Sequence, residues 1–226
     1  MSLETEYSLK PKQYFGELRN EIIGYVPENT KKILDVGCSA GDFGINLKKR
    51  LKDICVWGIE PNKYAADIAK KKLDHVICSP FNEKIVELEN QNFDCITFND
   101  VLEHLENPSL ALTHCLKLLD DEGILVASIP NVLFFPVMYN LIKNEEWKYE
   151  DSGVLDNTHL RFFTKKSIIR LFEESGYKII KIEGINVKIH GKYRLYKILN
   201  FLLFNKLKDW KYMQFIVVAK KIKNKN

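Results

Sequence analysis

Along the chain, apolar and polar residues change period repeatedly, from short continuous apolar runs to runs with a helical repeat. Ile33-Leu34-Asp35-Val36, Ile54 to Ile59, His75 to Cys78, Phe93 to Phe98 and Gly123 to Ile129 are mostly apolar, as strands covered on both faces would be. Between them lie amphipathic segments. Asp42 to Leu51 places Phe43, Ile45, Leu47 and Leu51 at helical spacing, and a second helix is expected from Pro61, at its first position, to about Leu73. Asn107-Pro108 starts a third, over Ser109 to Leu119, and Thr164 caps a fourth, over Lys165 to Ser175, which Gly176 stops. Ahead of all these, Tyr14 to Val26 has apolar residues at 14, 15, 18, 22, 23 and 26, and it too reads as a helix. Two further strands are expected at Tyr177 to Ile189 and Met213 to Ala219, with a helical stretch at Tyr193 to Trp210 between them. Strands alternating with helices predict an α/β domain built on a largely parallel sheet.

The junction after the first strand carries the first chemistry. Gly37-Cys38-Ser39-Ala40-Gly41 joins a buried strand to a helix, with glycines where the backbone turns sharply or approaches a ligand. The helix start that follows offers free N–H groups and a positive dipole end. Glu60, about twenty residues further on, closes the second strand where a carboxylate can take ribose hydroxyls. These parts together describe a site for an adenosine-containing cofactor. A dinucleotide pyrophosphate needs glycines at the first, third and sixth positions of its loop. Here Gly37 and Gly41 are four apart, Gly44 follows, and Ser39 stands in the middle.

That register resembles the D-x-G-x-G-x-G motif of class I S-adenosylmethionine (SAM)-dependent methyltransferases, with Asp35, Gly37 and Gly41 matching and Ser39 replacing the middle glycine. The resemblance implies a Rossmann-like, seven-stranded α/β sheet flanked by helices. Its last strand would run antiparallel between the fifth and sixth. It also implies SAM as donor and S-adenosylhomocysteine as product. Asp35 would order the turn, Gly37, Cys38, Ser39 and Gly41 would approach the methionine part, and Glu60 with Pro61 would flank the ribose. Many relatives place an aspartate after the third strand for the adenine amino group. This chain has Cys78-Ser79-Pro80-Phe81 there, so Ser79 is the candidate in its place.

The stretch FDCITFNDVLEHLENP, residues 93 to 108, resembles the fourth-strand motif of methyltransferases related to ubiquinone-biosynthesis O-methylation and of glycan-pathway relatives. Asn99 would then touch the cofactor, with Asp100 and Glu103 on the acceptor side and His104 as a candidate base. A helix starting at this point would place Asp100, Glu103 and His104 on one face. Asp100 and Glu103 also have the spacing of a capping box. Some relatives hold a divalent metal here. The expectation for this chain is a proton-relay group with no metal.

Residues 131 to 163 form an insertion after the fifth strand, on the side where open α/β sheets bind ligands. It ends in DNTHLRFFT, which resembles a His-x-Arg-Phe segment of the glycan-cluster group. His159 becomes a second candidate base and Arg161 an anchor for a substrate anion or for the loop itself. Tyr14 and Arg19 are candidates for a lid over the cofactor. The acceptor expected from this segment is a sugar or glycan intermediate. A small phenolic or quinone-type acceptor is the alternative, favoured by the aromatic residues between 132 and 149. A non-catalytic SAM-binding protein is the alternative of another class.

Composition adds limits. With 226 residues, 46% hydrophobic and 28% charged, the chain suits one domain with a substantial core. Within it, residues 1–30 would form the lid helix, 131–163 the acceptor-side insertion and 190–211 a helical excursion. The five cysteines lack C-x-x-C spacing and read as reduced core residues of a cytoplasmic protein. From Lys188 onward there are eleven Lys/Arg and one acid, or 11 − 1 = +10, against 23 − 29 = −6 for the remainder, which sums to the net +4. Residues 193–211 combine this charge with apolar positions on more than one face. They read as a core-covering helix, a homodimer contact or a membrane-surface segment at the inner face of the membrane. No signature of nucleic-acid binding accompanies them.

Overall fold

The computed structural model describes Lys10, residues 19–187 and residues 191–222. Tyr14, and with it most of the expected first helix, lies outside the described residues. A single helical turn, Asn20–Ile23, belongs to that helix.

The apolar runs form β1 (Lys32–Val36), β2 (Cys55–Ile59), β3 (His75–Ile77), β4 (Phe93–Asn99), β5 (Leu119–Pro130), β6 (Tyr177–Ile185) and β7 (Gln214–Lys221). The seven form one sheet in the order β3-β2-β1-β4-β5-β7-β6. β1 to β5 are parallel, and β7 runs antiparallel between β5 and β6. The sequence reverses direction in space at β1, beside β4, and at such a switch point the strand ends leave a crevice for ligands.

Helices α1 (Asp42–Arg50), α2 (Lys63–Ala69), α3 (Pro108–Leu118), α4 (Phe135–Asn144), α5 (Lys165–Glu174) and α6 (Tyr193–Leu202) accompany the sheet. One apolar cluster unites Leu34, Ile96, Phe98, Leu112, Phe172 and Phe215, and a second unites Ile33, Phe43, Leu47, Val56 and Val126. Neighbouring strand residues such as Ile33 and Leu34 thus bury opposite faces, which explains their unbroken apolar character.

Local chemistry moved several boundaries. α2 starts one residue after its cap, Asn62, whose side chain accepts from the Ala65 N–H, so Pro61 lies outside the helix rather than at its first position. Asn107 and Thr164 cap α3 and α5 as their sequences predict, Thr164 in a reciprocal pair with Ser167. β5 begins at Leu119, ahead of Gly123, because Leu119 pairs with Phe93. α6 ends at Leu202 and gives way to turns instead of continuing to Trp210.

The largest departure follows β4. No α-helix starts at Asp100. That residue has φ 54°, and only a 3-10 turn, Leu102–His104, comes after it. No side-chain cap forms, because the Asp100 carboxylate is engaged elsewhere. It accepts from Ser128 Oγ at 2.7 Å and from Gln214 Nε2, and it pairs with Arg19 at 2.7 Å.

Candidate active site

At the carboxyl ends of the parallel strands lies a cavity of about 1120 Å³. That is above the usual range for one drug-sized ligand, leaving room for two reactants side by side. One wall is the turn after β1. Gly37 and Cys38 donate their N–H groups to Ile59 O at 2.8 and 3.0 Å, which ties the turn to the end of β2. Gly37 has φ 72°, and a Cβ there would stand 2.5 Å from Val101 Cγ2. Ser39 also takes the left-handed conformation, at φ 51°, and Gly41, at φ 80°, caps α1. Gly37→Ala should therefore cost about 2 kcal/mol and weaken donor binding, because strain and overlap coincide. Thermal melting and calorimetric titration check both effects.

Two buried carboxylates brace the turn. Glu60 accepts from the Ser39 N–H at 2.9 Å and from the Asn62 N–H at 2.8 Å. Asp35 accepts from Thr97 Oγ1 at 2.7 Å and from Asn99 Nδ2 at 3.1 Å. Burial raises the Asp35 carboxyl to about 7 against the Thr97 bond, and the charge of Glu60 adds to the rise. Asn99 Oδ1 is buried and has no hydrogen-bond partner among the described residues, although Asn99 lines the cavity. An unsatisfied buried acceptor is costly, and a ligand's N–H or ammonium would relieve it.

The opposite wall brings the two histidines together. Their rings meet edge-on with centroids 4.7 Å apart. His104 Nδ1 lies 3.1 Å from Thr158 O, and His159 Nδ1 lies 3.1 Å from Val154 O. A carbonyl oxygen only accepts, so each Nδ1 carries the proton, and in the neutral ring each Nε2 keeps a lone pair. Burial favours those neutral rings. It lowers His104 to about 4, helped by the adjacent His159, and it lowers His159 as well.

Glu103 completes the group. Its carboxylate is buried with neither oxygen hydrogen-bonded among the described residues, and one oxygen stands 3.8 Å from His159 Nε2. Burial pushes its carboxyl well above the usual range, and Asp100's charge adds to this. Its backbone carbonyl accepts the N–H groups of Leu160 and Arg161, so the 3-10 turn and the insertion hold each other.

Glu103, His104 and His159 each present a ligand-type atom, all within 4.8 Å of one another. The same three side chains that can relay a proton thus have the make-up of a divalent-cation site, with both Nδ1–H groups anchored on carbonyls.

Asp35, Gly37, Cys38, Ser39, Pro61, Asn99, Asp100, Glu103, His104 and His159 all line this cavity. Gly41 and Glu60 are not among the lining residues: Gly41 caps α1, and Glu60 is fully buried behind the turn it braces. Ser79 instead lines a shallow pocket beside β3 and donates to Pro80 O, while Pro80 and Phe81 face the main cavity. Arg161 is likewise not among the lining residues. Its guanidinium donates to Leu160 O and Glu106 O, at 3.0 and 2.7 Å, and so anchors the loop.

Other residues of the site carried no sequence signal of their own. Thr158 orients His104, Gln214 and Ser128 hold Asp100, and Asn62 holds Glu60.

Residues 10–182 match a family model described as a methyltransferase domain. Among curated proteins, the chain is 26% identical over 206 residues to the ubiquinone biosynthesis O-methyltransferase of Vibrio atlanticus, covering 85% of this chain and 83% of that one. Its counterpart in Photobacterium profundum is 24% identical over 196 residues, covering 81% and 80%. Among solved structures, a SAM-dependent methyltransferase from Archaeoglobus fulgidus superposes with a TM-score of 0.65 at 18% identity, covering 97% of this chain and 98% of that one. Magnesium protoporphyrin IX methyltransferase from Synechocystis, with S-adenosylhomocysteine bound, gives 0.59 at 13%, covering 93% and 83%.

Proposed function

This chain belongs to the methyltransferase domain family and takes its methyl group from S-adenosylmethionine; from that premise we propose that it O-methylates a small phenolic or quinone-type acceptor. The observation that carries the proposal is the placement of two neutral imidazoles, one half-buried and one buried, and a buried carboxyl group across one cavity from the glycine turn.

The donor fits the turn wall. Asn99 Oδ1 and Asp35 offer acceptors for its ammonium group, Gly37 leaves space a side chain would fill, and Glu60 holds the turn in shape from the end of β2. Bound there, the donor supplies an electrophilic methyl group on a sulfonium. The protein's work is then positioning, exclusion of water and removal of a proton. Phe81, Val101, Leu105, Val154 and Met213 give the cavity apolar wall area suited to a ring. His104 and His159 accept the acceptor's hydroxyl proton through Nε2. Glu103, 3.8 Å from His159 Nε2 and favoured in its neutral form by burial, would ionise more readily as positive charge develops on the imidazole beside it.

A sugar or glycan acceptor is the weaker reading. It rested on the DNTHLRFFT segment, whose Arg161 is occupied with loop carbonyls, whereas the curated relatives above are named for ubiquinone biosynthesis.

A radiolabelled-donor assay decides between the two. Purified protein should methylate a catechol-type phenol and leave free and nucleotide-linked sugars unlabelled. Label on the sugars alone would overturn the acceptor assignment. Donor binding is tested apart from turnover. SAM and S-adenosylhomocysteine should each raise the melting temperature by mass action, and Glu60→Ala should shrink the rise.

A further inference from the structure

We propose that the outer face of α6 and the turn after it form a docking surface for an anionic lipid membrane. Leu195, Ile198 and Leu202 follow one another at i, i+3 and i+7 on the outward side of α6, with Phe201 beside them. Ile198, Phe201, Leu202 and Phe204 are 57%, 79%, 61% and 89% exposed, a contiguous apolar tip of a kind that monomeric proteins rarely leave bare.

The tip is a built feature. Phe204 and Asn205 take φ 51° and 60°, a conformation that is an outlier for a bulky residue. The turn is pinned there by Asn200, whose side chain donates to Asn205 Oδ1 and accepts from the Leu207 N–H, both at 3.0 Å. The fold thus spends strain to hold a phenylalanine out in water. An apolar phase would make use of it.

Charge complementarity identifies that phase. Residues 192–211 hold six Lys/Arg and one acid, or 6 − 1 = +5, and the acid, Asp209, is paired with Lys165. Lys192 and Lys197 lie over the rings of Tyr139 and Tyr193 at 4.2 and 4.7 Å. Basic residues along a helix that ends in an apolar tip match an interface of acyl chains and anionic headgroups. Among the described residues no helix is long and apolar enough to cross a membrane, so the contact is with its surface.

The inner face of α6 packs against the outside of the cavity wall. Tyr196 and Leu207 pack with Phe135 and Val154, and Met213 packs against the same cluster. Val154 and Met213 also line the cavity. A protein held on lipid by this tip would therefore rest with its acceptor wall close to the membrane, where an apolar-tailed acceptor would be concentrated. The surface itself is independent of the acceptor's identity.

Vesicle flotation tests the proposal. The wild-type protein should float with phosphatidylcholine vesicles containing phosphatidylglycerol, less with phosphatidylcholine alone, and less as salt rises. The double variant Phe201→Ser/Phe204→Ser should lose about tenfold or more in vesicle affinity. Its melting temperature and its methyl transfer to a soluble phenol should stay unchanged, because both side chains are in solvent. Three results would overturn the proposal: a wild-type protein that stays in solution at low salt, a variant that floats equally well, or a light-scattering dimer that the variant dissociates. Failure of phenol methylation with flotation intact would count against the acceptor assignment alone.

Discussion

His104→Asn should lower the methyl-transfer rate by about 10²- to 10⁴-fold, the usual size of a general-base contribution, with SAM affinity changed by no more than about twofold. His104 lines the cavity with Nδ1 committed to Thr158, so Nε2 is the atom the substitution removes from the proposed proton transfer. His159→Asn should act in the same direction, and Glu103→Gln should leave donor binding intact while weakening turnover, because the imidazolium loses a neighbouring group that can ionise beside it. The pH profile carries the same signature. Burial disfavours the imidazolium, so His104 keeps its lone pair down to about pH 4. On its account activity should hold through the pH range where an ordinary histidine protonates, and fall only as its lowered pKa is approached. An acid limb near 6.5, the ordinary histidine value, would remove His104 from the role. Dialysis against a chelator belongs in the same experiment. Unchanged activity supports proton transfer, whereas a loss restored by a divalent metal would make Glu103, His104 and His159 ligands instead.

Lys10→Met should destabilise the protein by about 3 kcal/mol and slow turnover, although Lys10 does not line the cavity. Its ammonium is buried, 2.8 and 2.9 Å from the two oxygens of Asp156, and it also donates to Asp151 O and Asn157 Oδ1. Asp156 in turn accepts from the N–H and hydroxyl of Thr158, at 2.8 and 2.6 Å, and Thr158 orients His104. Removing the cation leaves a buried carboxylate uncompensated at the base of this chain of bonds. Burial opposes the Asp156 carboxylate, but the Lys10 and Thr158 bonds outweigh it and hold its pKa below the usual value. The resulting stability is present above the ordinary carboxylate pKa and disappears as pH falls through the lowered one. The variant should therefore differ most from wild type near neutrality and least in acid, as denaturant unfolding at several pH values would show. Combining Lys10→Met with Asp156→Asn should cost less than the sum of the two changes, the mark of a direct partnership. Equal losses at all pH values would mean that Lys10 only packs.

The glycine turn shows why part of the site could be read in advance. Its requirements are local: Gly37 must sit at positive φ, the next helix must start within a few residues, and Glu60 must end the adjoining strand. Positions 35 to 60 hold all of that within one strand–helix–strand unit, so spacing alone reveals it. The strand and helix runs were legible for a similar reason, since burial on both faces leaves an unbroken apolar signature. The segment at 99–104 misled in the helix it suggested, because Asp100 is held by Ser128, Gln214 and Arg19, which lie far away in the chain. Those contacts outweighed a local capping preference.

The α/β class, the glycine turn with its acidic partner, and the histidines and carboxylates of the opposite wall were all legible along the chain. Which of them meet is a property of the folded sheet. It brought His104 and His159, 55 positions apart in number, ring to ring. It placed Thr158 behind one of them and Lys10 behind Thr158, and it turned Arg161 toward the loop carbonyls. It also left Phe201 and Phe204 in water on a braced turn, where the helical repeat favoured packing or a dimer contact. The physical reason is range: turns and periodicity follow from neighbours along the chain, whereas the partner of a buried charge or an exposed ring is set by elements that meet only in the folded sheet.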